Sequence, residues 1–522
     1  MDASAASRGP IGLTRVNWRV TPLRLAALMT LAALGVRLIG LEMRPLWLDE
    51  AYSAWFSGRG WHELWTVVPT YETHPPFYYS LLKLWRIGFG ASALSLRLPS
   101  VIVGAATVPI VMLAARELER LRPSGRPLLL MGIAGFLAAF GPTLIEHGQE
   151  ARPYALMTLA YAVAALGLLR LLRDFGSGQS GSLTSWTIFA VGAELTLWSH
   201  ALGVIYAAWL ALGLLPAWLK RPAHRARYSR GLIAAAAIVL LYLPCLWIIA
   251  GRTRDWGSGW LTWSPAKLLT LISIYGVPVE VLTIGSAVAA LILFLSAKRA
   301  ISAGFSERDW SADRVLLLLW WGPPIVTALI SALYMPVFLP RTLTPTLVPY
   351  YLAVSAALAR IAFPRERMLL TAGLMLTLVP SSVAMALRPA TEQWDQVEAF
   401  LSRSVRPGDV VWLYPNDSAL PLRAAGPHSV YPRQGIPADY PALGVKGPIR
   451  AGSPAVVSLT RQGANALAAR PAVQRIPTIW LVESQPAFAD PHSDVPHALE
   501  LSRRAGALQR WGYITVQPFT RR

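Results

Sequence analysis

The stretch WTIFAVGAELTLWSHALGVIYAAWLALGLLPAWL, residues 186–219, decides how this chain is arranged. It is apolar almost throughout and too long for one bilayer crossing, which takes about 20 residues. Basic residues flank it on both sides, Arg170 and Arg173 before and Lys220, Arg221, Arg225, Arg227 and Arg230 after. By the positive-inside rule both clusters face the cytoplasm. A single crossing would separate them, so the stretch must cross twice and turn near Ser199 and His200.

The same reading extends outward in both directions. Hydrophobic residues make up 54% of the 522 residues, and the mean hydropathy is +0.43, beyond what a soluble core absorbs. Apolar runs predict about eleven spans: Leu23–Leu41, Leu98–Ala115, Pro127–Ile145, Tyr154–Leu172, Trp186–Trp198, Ala201–Leu219, Gly231–Ala250, Val279–Ala297, Val315–Tyr334, Leu343–Ala362 and Met368–Leu387. Further basic clusters mark alternate ends: Arg8, Arg15 and Arg19; Arg116, Arg120, Arg122 and Arg126; Lys298, Arg299 and Arg308; Arg360, Arg365 and Arg367. An odd number of crossings follows, with the N-terminus cytoplasmic and everything after Leu387 on the outer side. The first span is interrupted by Arg37 and lacks a small-residue cleavage site, so it reads as an uncleaved anchor. The net charge of +20 is spread over these short clusters and forms no stripe with aromatic partners, which argues against nucleic acid. The single cysteine, Cys245, allows neither a disulfide framework nor a Cys-based zinc site.

From Arg388 the texture becomes that of a soluble domain. Trp394, Val397, Phe400 and Leu401 recur at helical spacing, and Pro407-Gly-Asp409 turns into the strand-like run Val410–Tyr414. Similar apolar runs at Ala455–Leu459, Thr478–Val482 and Tyr513–Val516 alternate with helix-like stretches at Ala464–Ala469 and Ala498–Trp511. The expected fold class is therefore an α-helical integral membrane protein with a C-terminal α/β soluble domain. Residues 1–387 form the first part, and residues 388–522 form an extracytoplasmic, periplasmic domain. The outer loop 42–97 is amphipathic, with Trp55, Phe56, Trp61, Leu64 and Trp65 among polar residues, and suits the headgroup region beside a lipid entrance.

With this topology, the ionisable residues that are not cytoplasmic anchors gather at the outer ends of the spans. Among them are Asp49, Glu50, Glu72 and His74 in the first outer loop; Glu146, His147, Glu150 and Arg152, with the polar Gln149, between the third and fourth spans; His200; Arg252, Arg254 and Asp255; and Arg341. Ionisable groups at membrane depth are costly, so their convergence marks a wet functional cavity. Asp49 and Glu50 sit among Leu46, Trp47, Leu48, Ala51 and Tyr52, where a carboxylate can act as a general base.

Three stretches resemble the polytopic GT-C glycosyltransferases, the group of protein O-mannosyltransferases and the lipid A aminoarabinose transferase. They are Arg44-Pro-Leu-Trp-Leu-Asp-Glu-Ala-Tyr-Ser53; Thr73-His-Pro-Pro-Phe-Tyr-Tyr79 with Ser95-Leu-Arg-Leu-Pro-Ser100 and Ala114-Ala-Arg-Glu117; and Gly148-Gln-Glu-Ala-Arg-Pro-Tyr154. Weaker echoes are Trp198-Ser-His200 and Pro340-Arg-Thr342, where Thr342 replaces the family's tyrosine. The resemblance implies an inverting transfer of a sugar from a polyprenyl-phosphate donor to a lipid, polysaccharide or protein acceptor at the outer face of a bacterial plasma membrane. It implies Asp49 as base with Glu50 second. Arg152, Arg341 and His74 would hold the lipid phosphate, and Tyr52, Glu72, Gln149, Glu150, Tyr154 and His200 would line the substrate pocket. No nucleotide site is needed, and no Gly-x-x-x-x-Gly-Lys loop is present. Some relatives bind a divalent metal and others need none. Thr73 stands where the aminoarabinose transferase has an acidic ligand, which leaves Glu72, His74 and His200 as the alternative metal set to test. The competing class is a transporter or flippase of lipid-linked sugars, which would bind substrate near the midplane between repeats; no internal repeat is apparent.

Overall fold

The computed structural model of the protein describes residues 21–219, 225–252, 261–275, 312–445 and 454–522. The expected span Val279–Ala297 and the residues Arg254 and Asp255 lie outside these. The side chain of Arg252, at the end of its helix, is likewise not described. Among the described residues, six helices are long and apolar enough to cross a membrane, and a seventh span results if one bent pair is counted as a unit.

The decisive stretch folds as two antiparallel helices, α9 (Leu183–Ser199) and α10 (Gly203–Leu219), broken at His200. Each has 17 residues, about 26 Å at 1.5 Å per residue. Ser182 caps α9, its hydroxyl accepting from Ser185 N at 3.0 Å. Gly203 lets the second helix start against the last turn of the first, since a Cβ there would collide with Thr196 O.

Before this pair come α1 (Pro22–Leu38), α2 (Leu48–Ser57), α3 (Trp61–Thr66), α4 (Phe77–Phe89), α5 (Ala93–Leu121), α6 (Pro127–Phe140), α7 (Pro142–Gly148) and α8 (Tyr154–Gly176). The pair α6–α7 is the expected span Pro127–Ile145, bent by 51° at Gly141, where Pro142 starts a new helix. After α10 follow α11 (Arg225–Arg252), the helix Ala312–Leu333, a 3-10 segment Pro340–Thr346 running into the helix Leu347–Ala359, and the helix Pro364–Ala386.

Small residues set the packing of α8 on α9. A Cβ on Gly192 would strike the backbone of Ala164, and one on Gly167 the backbone of Phe189. Such close approach is how apolar helices associate where lipid offers no hydrophobic contrast. Gly192→Val should therefore push the helices apart and cost about 1–3 kcal/mol. A melting temperature in detergent that is unchanged by this substitution would contradict the backbone contact.

Among the described residues, the basic clusters around Arg116–Arg126, Arg170–Arg173 and Arg360 share one end of the bundle, with Arg170 and Arg173 both meeting Glu117. Arg122 meets Asp313 at 3.0 Å and Arg360 meets it at 3.3 Å, while Arg126 donates to Ala359 O at 2.8 Å. The ends carrying Asp49, Arg152, His200 and Arg341 lie at the other end. The segment after residue 387 covers that end with an α/β layer.

This layer begins with the helix Trp394–Ser404 and contains β1 (Val410–Tyr414), β2 (Arg433–Gly435), β3 (Thr478–Ser484), β4 (Arg503–Ala505), β5 (Gln509–Trp511) and β6 (Ile514–Arg521). The sheet order is β2-β1-β3-β6-β4, with β5 on β6. Strands β1, β2 and β3 are parallel, and β6 runs antiparallel to β3. Two sequence expectations are corrected. The stretch Ala498–Trp511 is not a helix: the helix Asp494–Glu500 stops and the chain enters β4 and β5. Pairing with β6 wins over helical periodicity, and Arg503 is buried with its guanidinium spent on the carbonyls of Val473, Ile476 and Phe519. The run Ala455–Leu459 is irregular instead of a strand. Its apolarity serves a different contact, because Ala455 and Val456 are buried with Leu46, Phe56, Tyr71 and Tyr79 of the loop 42–97. That loop is thus held between the helical bundle and the sheet layer.

Candidate active site

Asp49 and Glu50 stand in the first turn of α2, whose amide groups favour negative charge. In a helix, neighbours point about 100° apart, so the two carboxylates face different surroundings. Glu50 is fully buried and forms a two-pronged pair with Arg97 at 2.8 and 2.6 Å. It also accepts from Ala151 N at 2.9 Å. Arg97 spends its remaining N–H groups on Leu41 O, Arg44 O and Pro45 O. This lock fastens α2 to α5 and to the segment before α8.

Asp49 faces a cavity of about 350 Å³, within the usual size of small-molecule sites. Two guanidinium groups hold its carboxylate: Arg341 Nη2 at 3.1 Å and Arg152 Nη2 at 3.7 Å. Arg152 also donates to Asp49 O at 3.1 Å and approaches His74 Nε2 at 3.3 Å. Burial works against the charge on Arg152, and Asp49 together with Tyr154, Tyr79 and Glu72 more than restores it. The rings of His74 and His200 lie 4.3 Å apart, with Tyr154 5.8 Å from His200. His200 Nδ1 accepts from Leu202 N at 3.0 Å, which fixes that ring at the break between α9 and α10. Burial pushes His200 down to about 3, with Arg152 and Arg341 adding to the effect. His74 is lowered by burial and by His200 and both arginines. Both imidazoles are therefore neutral at physiological pH, and the cations here are the arginines.

Of the residues singled out in the sequence, Asp49, Tyr52, Glu72, His74, Arg152, Tyr154, His200 and Arg341 line the cavity. Glu50, Gln149 and Glu150 do not. Gln149 is fully buried, donating to Arg37 O and Ile39 O and accepting from Arg44 and Arg388. Glu150 is clasped by His147 at 3.1 Å and Arg388 at 3.4 Å. Burial would raise its carboxyl, but these neighbours hold it at about 2.

The candidate metal ligands Glu72, His74 and His200 have other partners in this arrangement. Glu72 accepts from the His74 amide at 2.9 Å, His74 faces a guanidinium, and no group of three or more His, Cys, Asp or Glu among the described residues is placed to hold an ion. The set Glu72, His74 and His200 is not assembled as a site.

The sheet layer adds residues that sequence reasoning missed: Glu392, Asp417, Ser418, Tyr440, Ser484 and Gln485. Glu392 accepts from the Leu48 amide at 3.0 Å and from Trp394 Nε1 at 2.7 Å. It thereby satisfies a free N–H at the start of α2 from across the chain. The Tyr52 hydroxyl, one turn further along α2, donates to Asp417 Oδ2. Burial raises Glu392 to about 7 and Asp417 to about 6, against the pull of those donors.

No family model and no curated protein matches the sequence. Solved structures do match the fold. ArnT from Cupriavidus metallidurans in the apo state superposes with a TM-score of 0.61 at 13% identity, over 94% of this chain and 97% of that one. The fold is that of the GT-C glycosyltransferases. The same ArnT bound to undecaprenyl phosphate matches at 0.59 and 14% identity, again over 94% and 97%. An Archaeoglobus fulgidus oligosaccharyltransferase aligns at 0.47 and 14% identity, over 92% of this chain and 71% of its own. The ArnT match, at 94% of this chain, extends over both the helical part and the sheet layer.

Proposed function

We propose that this chain is an inverting membrane glycosyltransferase that moves a sugar from a polyprenyl-phosphate donor to an acceptor at the outer face of a bacterial plasma membrane. The observation that carries the reading is the carboxylate of Asp49 held between Arg152 and Arg341 inside a cavity closed by the C-terminal layer. Support comes from a similarly folded ArnT with undecaprenyl phosphate bound. Eleven crossings, a cytoplasmic N-terminus and an outer C-terminal domain complete the topology in this reading.

The donor phosphate and Asp49 compete for the same two guanidinium groups. When the phosphate enters, its oxygens take bidentate N–H donors from Arg152 and Arg341, the strongest kind of phosphate contact. Asp49 is released toward the acceptor hydroxyl. The acceptor oxygen then attacks the anomeric carbon from the face opposite the phosphate. Its proton passes to Asp49, the bond from the anomeric carbon to the phosphate oxygen breaks, and the phosphate leaves with the electron pair. Charge gained by the leaving phosphate is stabilised by the two arginines in a site largely shielded from water. His74 and His200, being neutral, contribute hydrogen bonds and shape.

Arg341→Ala tests the phosphate site. It removes a charged donor worth about 1.5–3 kcal/mol, so affinity for undecaprenyl phosphate should fall about 10- to 150-fold. An unchanged affinity would place the phosphate elsewhere.

A further inference from the structure

The cavity has a second wall that the phosphate chemistry does not use. Because β1, β2 and β3 are parallel, their carboxyl ends share one edge, and the residues just past β1 and β3 reach the cavity: Pro415, Asp417, Ser418, Ser484 and Gln485. In parallel α/β sheets this edge is where ligands bind. Asp417 is 3% and Ser418 0% exposed. Asp417 Oδ2 takes the Tyr52 hydroxyl, whereas Asp417 Oδ1 and Ser418 Oγ make no hydrogen bond of ordinary geometry. The carboxyl has beyond Tyr52 only the weaker pull of its own amide and that of Ser418. Buried polar atoms are almost always partnered, and leaving an acceptor dry is costly. Both residues line a cavity with room for a partner.

The lining also states what that partner is. The charge on Asp49, and that on Asp417 and Glu392 when they ionise, disfavours a second anion beside the phosphate site. Tyr440 and Phe488 add aromatic side chains to the same lining. Hydroxyl donors on a flat, weakly polar ring satisfy all of this.

Resting on the transferase reading above, we infer that the carboxyl edge of the C-terminal sheet, centred on Asp417 and Ser418, is a subsite for a neutral polyhydroxylated sugar ring. A ring hydroxyl donates to Asp417 Oδ1 and another exchanges a hydrogen bond with Ser418 Oγ. The ring belongs either to the acceptor or to the sugar carried by the donor, and the two sources separate experimentally.

The test uses the full chain in lipid nanodiscs and a panel of neutral methyl glycosides of mannose, glucose, galactose and arabinose, with mannose 6-phosphate as the anionic control. Saturation-transfer NMR in the presence of undecaprenyl phosphate should detect at least one neutral glycoside, at least threefold less in Asp417→Ala and Ser418→Ala, and no mannose 6-phosphate. That result assigns the ring to the acceptor. If instead both variants weaken binding of polyprenyl-phosphate mannose and leave undecaprenyl phosphate unaffected, the ring is the donor's. Ser418→Ala guards against misfolding, since its hydroxyl has no hydrogen bond to lose. The subsite is overturned if glycoside and glycolipid binding are the same in wild type and both variants, if no neutral glycoside or glycolipid binds, or if mannose 6-phosphate binds equally well. Undecaprenyl phosphate should raise the melting temperature of all three proteins alike. Its failure to do so in the wild type would overturn the transferase reading, whereas a preserved rise with ring binding insensitive to both variants overturns the subsite alone.

Discussion

Asp49→Asn is expected to reduce sugar transfer at least 100-fold while leaving undecaprenyl phosphate bound as tightly as in the wild type, or more tightly. General base catalysis contributes about 10²–10⁴ in rate, and an amide cannot take the proton. The affinity half of the prediction comes from the geometry. Arg341 and Arg152 lie 3.1 and 3.7 Å from the Asp49 carboxylate, so the resting base occupies the cations that the phosphate needs. Asparagine keeps the size of the side chain and removes the competing charge. Normal transfer by this variant would remove Asp49 from the mechanism; loss of both transfer and lipid binding would make it a structural residue.

The largest effect on stability should come from Arg97→Ala. Its partner Glu50 is fully buried, and the pair is linked at 2.6 Å. Taking one partner from a buried pair costs about 3–5 kcal/mol, because the other charge is left without compensation. Here three backbone carbonyls before α2 also lose their donor. The variant should fail to yield folded protein by size-exclusion in detergent. Recovery of well-folded, active Arg97→Ala would show that the lock is dispensable for placing α2.

The two adjacent acids show how far the sequence could be read. Their apolar surroundings marked both Asp49 and Glu50 as candidates, but only the direction of each around α2 separates the cavity residue from the lock, and a linear pattern does not carry that direction. The gathering of Asp49, Arg152, His200 and Arg341 was legible because basic clusters fix which helix ends share a face. That logic also gave the break at His200, because two flanking clusters cannot sit on one side of a single crossing. Gln149 and Glu150 belong to the same stretch as Arg152, yet the turn between α7 and α8 aims them at Arg44 and Arg388, away from the cavity.

The second wall was illegible for a different reason. Glu392, Asp417 and Ser418 act across more than 340 positions of chain, as the bond from Leu48 to Glu392 illustrates. Nothing local in Pro415-Asn-Asp-Ser418 distinguishes a turn after a strand from a ligand edge; the parallel pairing of β1 and β3 makes the difference. The overestimated helix at Ala498–Trp511 has the same origin, since strand pairing with β6 is decided by distant partners.

The account depends most on where the lipid phosphate sits. A structure of the full chain in nanodiscs with undecaprenyl phosphate should place the phosphorus between Arg152 and Arg341, within hydrogen-bond distance of both, with Asp49 released from at least one of them. Phosphate density at the opposite end, among Arg122, Arg126 and Arg360, would contradict it.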